Sequence, residues 1–213
     1  MRINDLKAKI LTKPIPRTIA FILDGNGRWA KKRGMPRTYG HAKGIEALVK
    51  ISEACREIGI KSALVYAFST ENWSRPSDEV EFLMKALIEN LTKEFTSYTL
   101  GICFNYGGRQ EIVHATKEIC KKVLDGKMSI DDINVDTFEQ NLYTYGIDPI
   151  DLMVRTSGEE RLSNFLPWQL AYSEFIFTKC YWPDFNKKEL YECIDEFQSR
   201  NRRFGGLENK NVK

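Results

Sequence analysis

An α/β fold, with a central mainly parallel sheet and helices on both faces, is what the order of apolar segments predicts. Three observations carry it. Five short runs rich in β-branched or aromatic residues recur along the 213-residue chain. Stretches with helical spacing of apolar residues alternate with them. No repeat, low-complexity tract or Gly/Ser linker interrupts the series, so residues 1–213 read as one domain.

The first strand is expected at 18–23, followed by a helix whose apolar face is Ile45, Leu48, Val49, Ala54, Cys55 and Ile58. A second strand falls at 63–68. The helix after Ser77-Asp78-Glu79 differs: Val80, Phe82, Leu83, Met84, Leu87, Ile88, Leu91 and Phe95 cover more than one stripe. Either this helix is buried in the core, or one side meets the sheet while the other lines an apolar cavity; spacing allows both. A third strand at 100–104 precedes a helix with Ile112, Ala115, Ile119 and Val123 on one face, and strands at 151–154 and 174–177 complete the set.

Composition narrows the function classes. Lys+Arg 32 against Asp+Glu 29 leaves a formal charge of +3, and the one basic cluster, Arg200-Asn201-Arg202-Arg203, is too short for a nucleic-acid surface. No apolar window reaches the length of a membrane span, and the charged start Met1-Arg2-Ile3-Asn4-Asp5-Leu6-Lys7 is unlike a signal peptide. A soluble, cytoplasmic protein is expected. Five cysteines without a CxxC pair argue against a disulfide framework or zinc site, and two histidines leave little for a His-based metal centre.

Polar residues gather where the strands end, which is where open α/β sheets bind ligands. The first strand leads into Asp24-Gly25-Asn26-Gly27-Arg28-Trp29, the second into Ser69-Thr70-Glu71-Asn72-Trp73-Ser74-Arg75-Pro76, the third into Asn105-Tyr106-Gly107-Gly108-Arg109, and the fourth into Arg155-Thr156-Ser157-Gly158-Glu159-Glu160-Arg161-Leu162-Ser163-Asn164. Any one of these could be an ordinary turn; four together point to a site. Arg28, Arg37, Arg75, Arg155 and Arg161, with His41, outnumber the acids Asp24, Glu71, Glu159 and Glu174. Forked guanidinium donors suit phosphate oxygens, and a few carboxylates suit a divalent cation, so this chemistry reads as a diphosphate with Mg²⁺. Neither GxxxxGK[ST] nor GxGxxG occurs, and Asp131-Asp132 does not extend to DDxxD.

The motifs DGNGRWA (24–30), GHAKG around His41, YAFSTENWSRP (66–76), NYGGR (105–109), DLMVRTSGEERLSNFLPWQ (151–169) and YWPDF (181–185) together resemble the cis-prenyltransferase family. They span nearly the whole chain in the family's order, and DGNGR is most similar to the bacterial branch that makes undecaprenyl diphosphate. The resemblance implies a Mg²⁺-dependent enzyme that extends farnesyl diphosphate by repeated condensation with isopentenyl diphosphate, with an apolar tunnel for the growing chain. It implies that Asp24 and Glu174 hold the metal, that Gly25, Asn26, Gly27, Arg28, Arg37 and His41 surround the allylic diphosphate, and that Trp29 also binds substrate. Arg155, Arg161 and Ser163 would bind the diphosphate of isopentenyl diphosphate. Ser69, Glu71, Asn72, Trp73 and Arg75 would close over the substrates, and Asn26, with Ser69 or His41, would help remove the proton after C–C bond formation. It also implies a homodimer, through a tail like Arg202-Arg203-Phe204-Gly205-Gly206, and peripheral contact with a membrane at product release.

One departure stands out. Between Glu71 and Asn105 the chain is shorter than the family pattern by about a strand and a helix, the break falling near 98–99. Omission of a segment is the expectation, because losing an interior strand would leave unpaired ladder groups and a hole in the core. A shorter-chain cis-prenyl synthase, a silent accessory subunit and a simple phosphate-binding module are the alternatives. A silent subunit should have lost Asp24 or the arginines, and this chain keeps them.

Overall fold

The computed structural model describes residues 1–69 and 98–200, with positions 68 and 69 as backbone alone. Five parallel strands, β1 (Thr18–Ile22), β2 (Ser62–Ser69), β3 (Thr99–Tyr106), β4 (Leu152–Arg155) and β5 (Glu174–Phe177), form one sheet in the order β3-β2-β1-β4-β5. The helices are α1 (Ile3–Ile10), α2 (Asn26–Lys31), α3 (Arg37–Glu57), α4 (Gly108–Leu124), α5 (Val135–Glu139) and α6 (Lys187–Ser199).

All five β1 residues are buried because the strand is central and both its faces are covered. Alternation sends Ile19 and Phe21 to one side, where they join Leu48, Ile51, Trp182, Leu190 and Ile194 under α1, α3 and α6. Ala20 and Ile22 face the other way, into a cluster with Leu64, Met153, Phe165, Leu166 and Leu170. The expected α3 face is largely confirmed: Ile45, Leu48, Ala54 and Cys55 are buried within the helix, and Ile58 just beyond it.

Helices α1, α5 and α6 escaped the sequence reading. In α6, Leu190, Tyr191, Ile194 and Phe197 recur at helical spacing after Asn186, whose side chain accepts the Lys188 N–H at 2.9 Å. Its partner is α1, which buries Leu6 and Ile10. Lys9 Nζ donates to Asp195 at 2.6 Å, and Gln198 Nε2 donates to the carbonyls of Ile10 at 2.8 Å and Pro14 at 3.0 Å.

β2 and β3 pair directly, from Ser62 opposite Thr99 to Ser69 opposite Tyr106, so the short middle of the chain leaves no gap within the sheet. Among the described residues β3 is an edge strand. The wide helix expected over 80–95 and the tunnel argued from it lie outside the described residues, as do Thr70–Pro76 and the 202–206 tail. No helix among the described residues is long and apolar enough to cross a membrane.

Candidate active site

The chain runs outward from β1 through β2 to β3, then returns to β1's other side as β4, so its direction reverses between β1 and β4. In open α/β sheets the crevice beyond the carboxyl ends of such a strand pair is the ligand site. Ile22 of β1 lies opposite Arg155, the last residue of β4. Two residues past Ile22, Asp24 therefore meets the chain leaving β4.

The contact is well specified. The Asp24 N–H donates to the Ile22 carbonyl at 2.9 Å and to Thr156 Oγ1 at 3.0 Å, while the Thr156 hydroxyl donates back to the Asp24 carbonyl at 2.7 Å. The Trp182 N–H adds a bond to the same carbonyl at 3.1 Å. Gly25 follows at φ +101°, and a Cβ there would lie 2.5 Å from the Tyr181 ring. Left-handed backbone and ring contact together demand glycine.

The Asp24 side chain sits between two arginines: Oδ1 accepts from Arg28 at 2.9 Å and Oδ2 from Arg155 at 3.0 Å. Arg155 has only 4% of its side chain exposed, and its other terminal nitrogen donates to Ser163 Oγ at 2.9 Å and to the Arg161 carbonyl. Arg28 also reaches Ser157 Oγ at 2.6 Å and Glu159 at 2.8 Å, and Glu159 pairs with Arg161. Burial pushes the Asp24 carboxyl upward, but hydrogen bonds from Arg155 and Arg28 outweigh it and hold the group below its usual range. Asp24 is thus a carboxylate at neutral pH. Arg161 and then Arg28 likewise pull Glu159 down. Three guanidiniums meet two carboxylates here, an excess of positive charge suited to an anion.

A Mg²⁺ ion fits this donor set only in one manner. No group of three or more His, Cys, Asp or Glu side chains among the described residues could cage a metal. A single ionised, partly exposed carboxylate suits Mg²⁺ that takes its remaining positions from phosphate oxygens and water.

Other expected residues have varied places. Arg37 lies against Gly27, where a Cβ would come within 3.1 Å of its guanidinium carbon. His41 is buried on α3 one turn beyond Arg37. Trp29 is buried too, stacked on Tyr39 at 6.0 Å with Arg33 over its ring at 4.0 Å, so it packs α2 against α3. Asn26 donates from Nδ2 to the Leu23 carbonyl at 3.2 Å, while its Oδ1 is buried without a hydrogen-bond partner at a place where a Gly44 Cβ would fall 2.5 Å away. It is wedged between helices. The Ser69 side chain, Glu71, Asn72, Trp73 and Arg75 lie outside the described residues.

Glu174 lies apart from this group. It opens β5 opposite Leu152, at the amino end of the sheet, while Asp24 stands beyond the carboxyl end, and it pairs with Arg200 at 2.9 Å. Within this chain it is not brought to Asp24. Thr156, Ser157 and Tyr181 were missed as site residues, since only the β1–β4 pairing brings them to Asp24 or Gly25.

Fold and site define a parallel α/β protein with an arginine-rich anion site, organised by one carboxylate, at its switch point. A prenyltransferase model described as "Putative undecaprenyl diphosphate synthase" matches residues 22–96 and 87–205, and the chain belongs to that family. It is 44% identical to an isoprenyl transferase of Clostridium perfringens, covering 93% of both chains. It is 43% identical to a ditrans,polycis-undecaprenyl-diphosphate synthase ((2E,6E)-farnesyl-diphosphate specific) of Micrococcus luteus, covering 91% of this chain and 92% of the relative. Lavandulyl diphosphate synthase from Lavandula x intermedia, solved with dimethylallyl diphosphate, superposes with a TM-score of 0.84 at 32% identity, over 90% of this chain and 99% of that one. The C. perfringens alignment runs over 235 positions, more than this chain's 213 residues, so it includes positions where this chain has none.

Proposed function

We propose that this protein is a Mg²⁺-dependent cis-prenyltransferase that condenses isopentenyl diphosphate repeatedly onto farnesyl diphosphate, giving undecaprenyl diphosphate. The observation that carries the reading is Asp24 held between Arg28 and Arg155 at the switch point. In each cycle a C–C bond forms to the allylic carbon, its bond to diphosphate oxygen breaks, and one proton leaves the new chain. Diphosphate departs with added negative charge, and Arg28, Arg37 and His41, beside Gly25 and Gly27, are assigned to that group. Arg155, Arg161 and Ser163 are assigned to the diphosphate of isopentenyl diphosphate, with Arg155 held rigid by burial. Asp24 would hold Mg²⁺, which when bound neutralises diphosphate charge and supports its departure. Preorganised cations in a site closed to water are worth more than the same charges in solvent.

A homodimer in the cytoplasm, with peripheral contact at the membrane receiving the product, completes the proposal. The test is incorporation of labelled isopentenyl diphosphate into extractable lipid, with products resolved by length. A discrete long product that disappears with EDTA is expected; no product from folded protein would overturn the reading, and a short product would move it to a shorter-chain synthase.

A further inference from the structure

The glycine pair of NYGGR, read from the sequence as another rim loop for a ligand, has a different occupant. The first N–H groups of α4 meet Asn164: the Gly108 N–H donates to its backbone carbonyl at 2.8 Å and the Arg109 N–H to its Oδ1 at 2.9 Å. Asn164 Nδ2 in turn donates to Gln110 Oε1 at 3.0 Å. The glycines make room for this. A Cβ on Gly107 would lie 2.9 Å from Asn164 Nδ2, and one on Gly108 would lie 2.0 Å from Pro167 Cδ. Gly107, the residue before the helix, has no side chain to cap it, so Asn164 caps α4 from more than fifty residues away in sequence.

The capped loop is unusual in its backbone. Ser163, Asn164 and Leu166 sit at φ +49°, +64° and +47°, a left-handed region costly for side chains other than glycine and tolerable for Asn. Tertiary contacts must hold such a turn. Asn164 supplies those to α4, and the buried Tyr66 hydroxyl shares its proton between the carbonyls of Ser163 and Tyr106, each at 3.2 Å. The same turn presents the Ser163 hydroxyl and the Arg161 carbonyl to Arg155.

We propose that Asn164 is a positioning residue: by capping α4 it holds the 161–166 turn in the shape that sets Ser163, Arg161 and hence Arg155 for the isopentenyl diphosphate group. What the turn binds rests on the function proposed above; that Asn164 holds it does not. Its effect passes through the turn.

The test compares wild type with Asn164→Ala, Asn164→Gly and Asn164→Asp, by amide hydrogen exchange across 155–166 and by KM and kcat for each substrate. Asn164→Gly keeps the left-handed backbone and removes the side chain's bonds to Arg109 and Gln110, so it serves even where Asn164→Ala does not fold. Faster exchange confined to the turn and its α4 contact is expected in Asn164→Ala and Asn164→Gly. KM for isopentenyl diphosphate should rise roughly tenfold, the scale of one lost hydrogen bond, with KM for the allylic substrate near wild type. Asn164→Asp, which keeps the acceptor for the Arg109 N–H, should restore both readouts. Unchanged exchange in Asn164→Gly, or equal rises in both KM values, would overturn the proposal. A wild type that uses no isopentenyl diphosphate would instead overturn the functional reading, while hydrogen exchange still decides the clamp.

Discussion

Thr156 and Asp24 are bonded to each other twice: Thr156 Oγ1 accepts the Asp24 N–H at 3.0 Å and donates to the Asp24 carbonyl at 2.7 Å. One hydroxyl on the chain leaving β4 thereby sets the backbone of the residue after β1, and with it the direction of the Asp24 carboxylate. Thr156→Val keeps the shape and removes both hydrogen bonds, leaving the Asp24 N–H to the Ile22 carbonyl and the Asp24 carbonyl to the Trp182 N–H. A loss of about 1–3 kcal/mol in stability is expected. Turnover should fall more than tenfold, measured by urea unfolding beside steady-state kinetics.

Asp24 itself separates charge from shape. Asp24→Asn preserves volume and can still accept from one arginine, whereas Asp24→Ala leaves buried Arg155 to Ser163 and the Arg161 carbonyl. Both should cut turnover by about 10²–10³-fold or more, with circular dichroism unchanged. An active Asp24→Ala enzyme would remove Asp24 from the metal assignment.

Arg155→Ala should chiefly raise KM for isopentenyl diphosphate, by about tenfold or more, as expected for a lost charged hydrogen-bond donor. Arg155→Lys should recover little, because one ammonium cannot reproduce the forked contacts to Asp24 and Ser163. Equal KM values for wild type and Arg155→Ala would contradict the role.

The packing of α2 on α3 depends on Gly40, where a Cβ would lie 2.1 Å from the Asn26 carbonyl oxygen. Gly40→Ala forces the helices apart and should cost about 1–3 kcal/mol. Since α2 carries Gly27 and Arg28, the allylic KM should rise as well. Thermal unfolding and substrate titration of one preparation would show both.

Glu57 gives a pH signature. Hydrogen bonds from Lys7 and then Lys187 pull its carboxyl from 4.5 down to about 2. A carboxylate depressed in the fold stabilises above its unfolded pKa and loses that contribution as pH falls, here between about 4.5 and about 2. Glu57 is exposed, so the effect is small and screened by salt. The gap in melting temperature between wild type and Glu57→Gln should close as pH falls through that window.

Much of this architecture is written locally in the chain. Runs such as Thr18–Ile22 announce strands because β-branched and aromatic residues recur without polar interruption, and the residues after them mark the binding rim. What depends on strand order is not local. A glycine pair before a helix looks the same whether it receives phosphate or Asn164. Thr156 is an ordinary hydroxyl in RTSG; only β4 beside β1 turns it toward Asp24. The missed α6 shows a simpler failure, since Leu190, Tyr191, Ile194 and Phe197 had the spacing to be found.

The packing of α1 on α6 sets a timetable for synthesis. Leu6 and Ile10 are made well over a hundred residues ahead of the helix carrying Asp195 and Gln198. At about 5–20 residues per second, α1 waits roughly ten to forty seconds with its apolar side unpartnered. Closing the domain is therefore a late event, and a nascent chain stalled before residue 187 holds an exposed amphipathic helix that chaperones can grip.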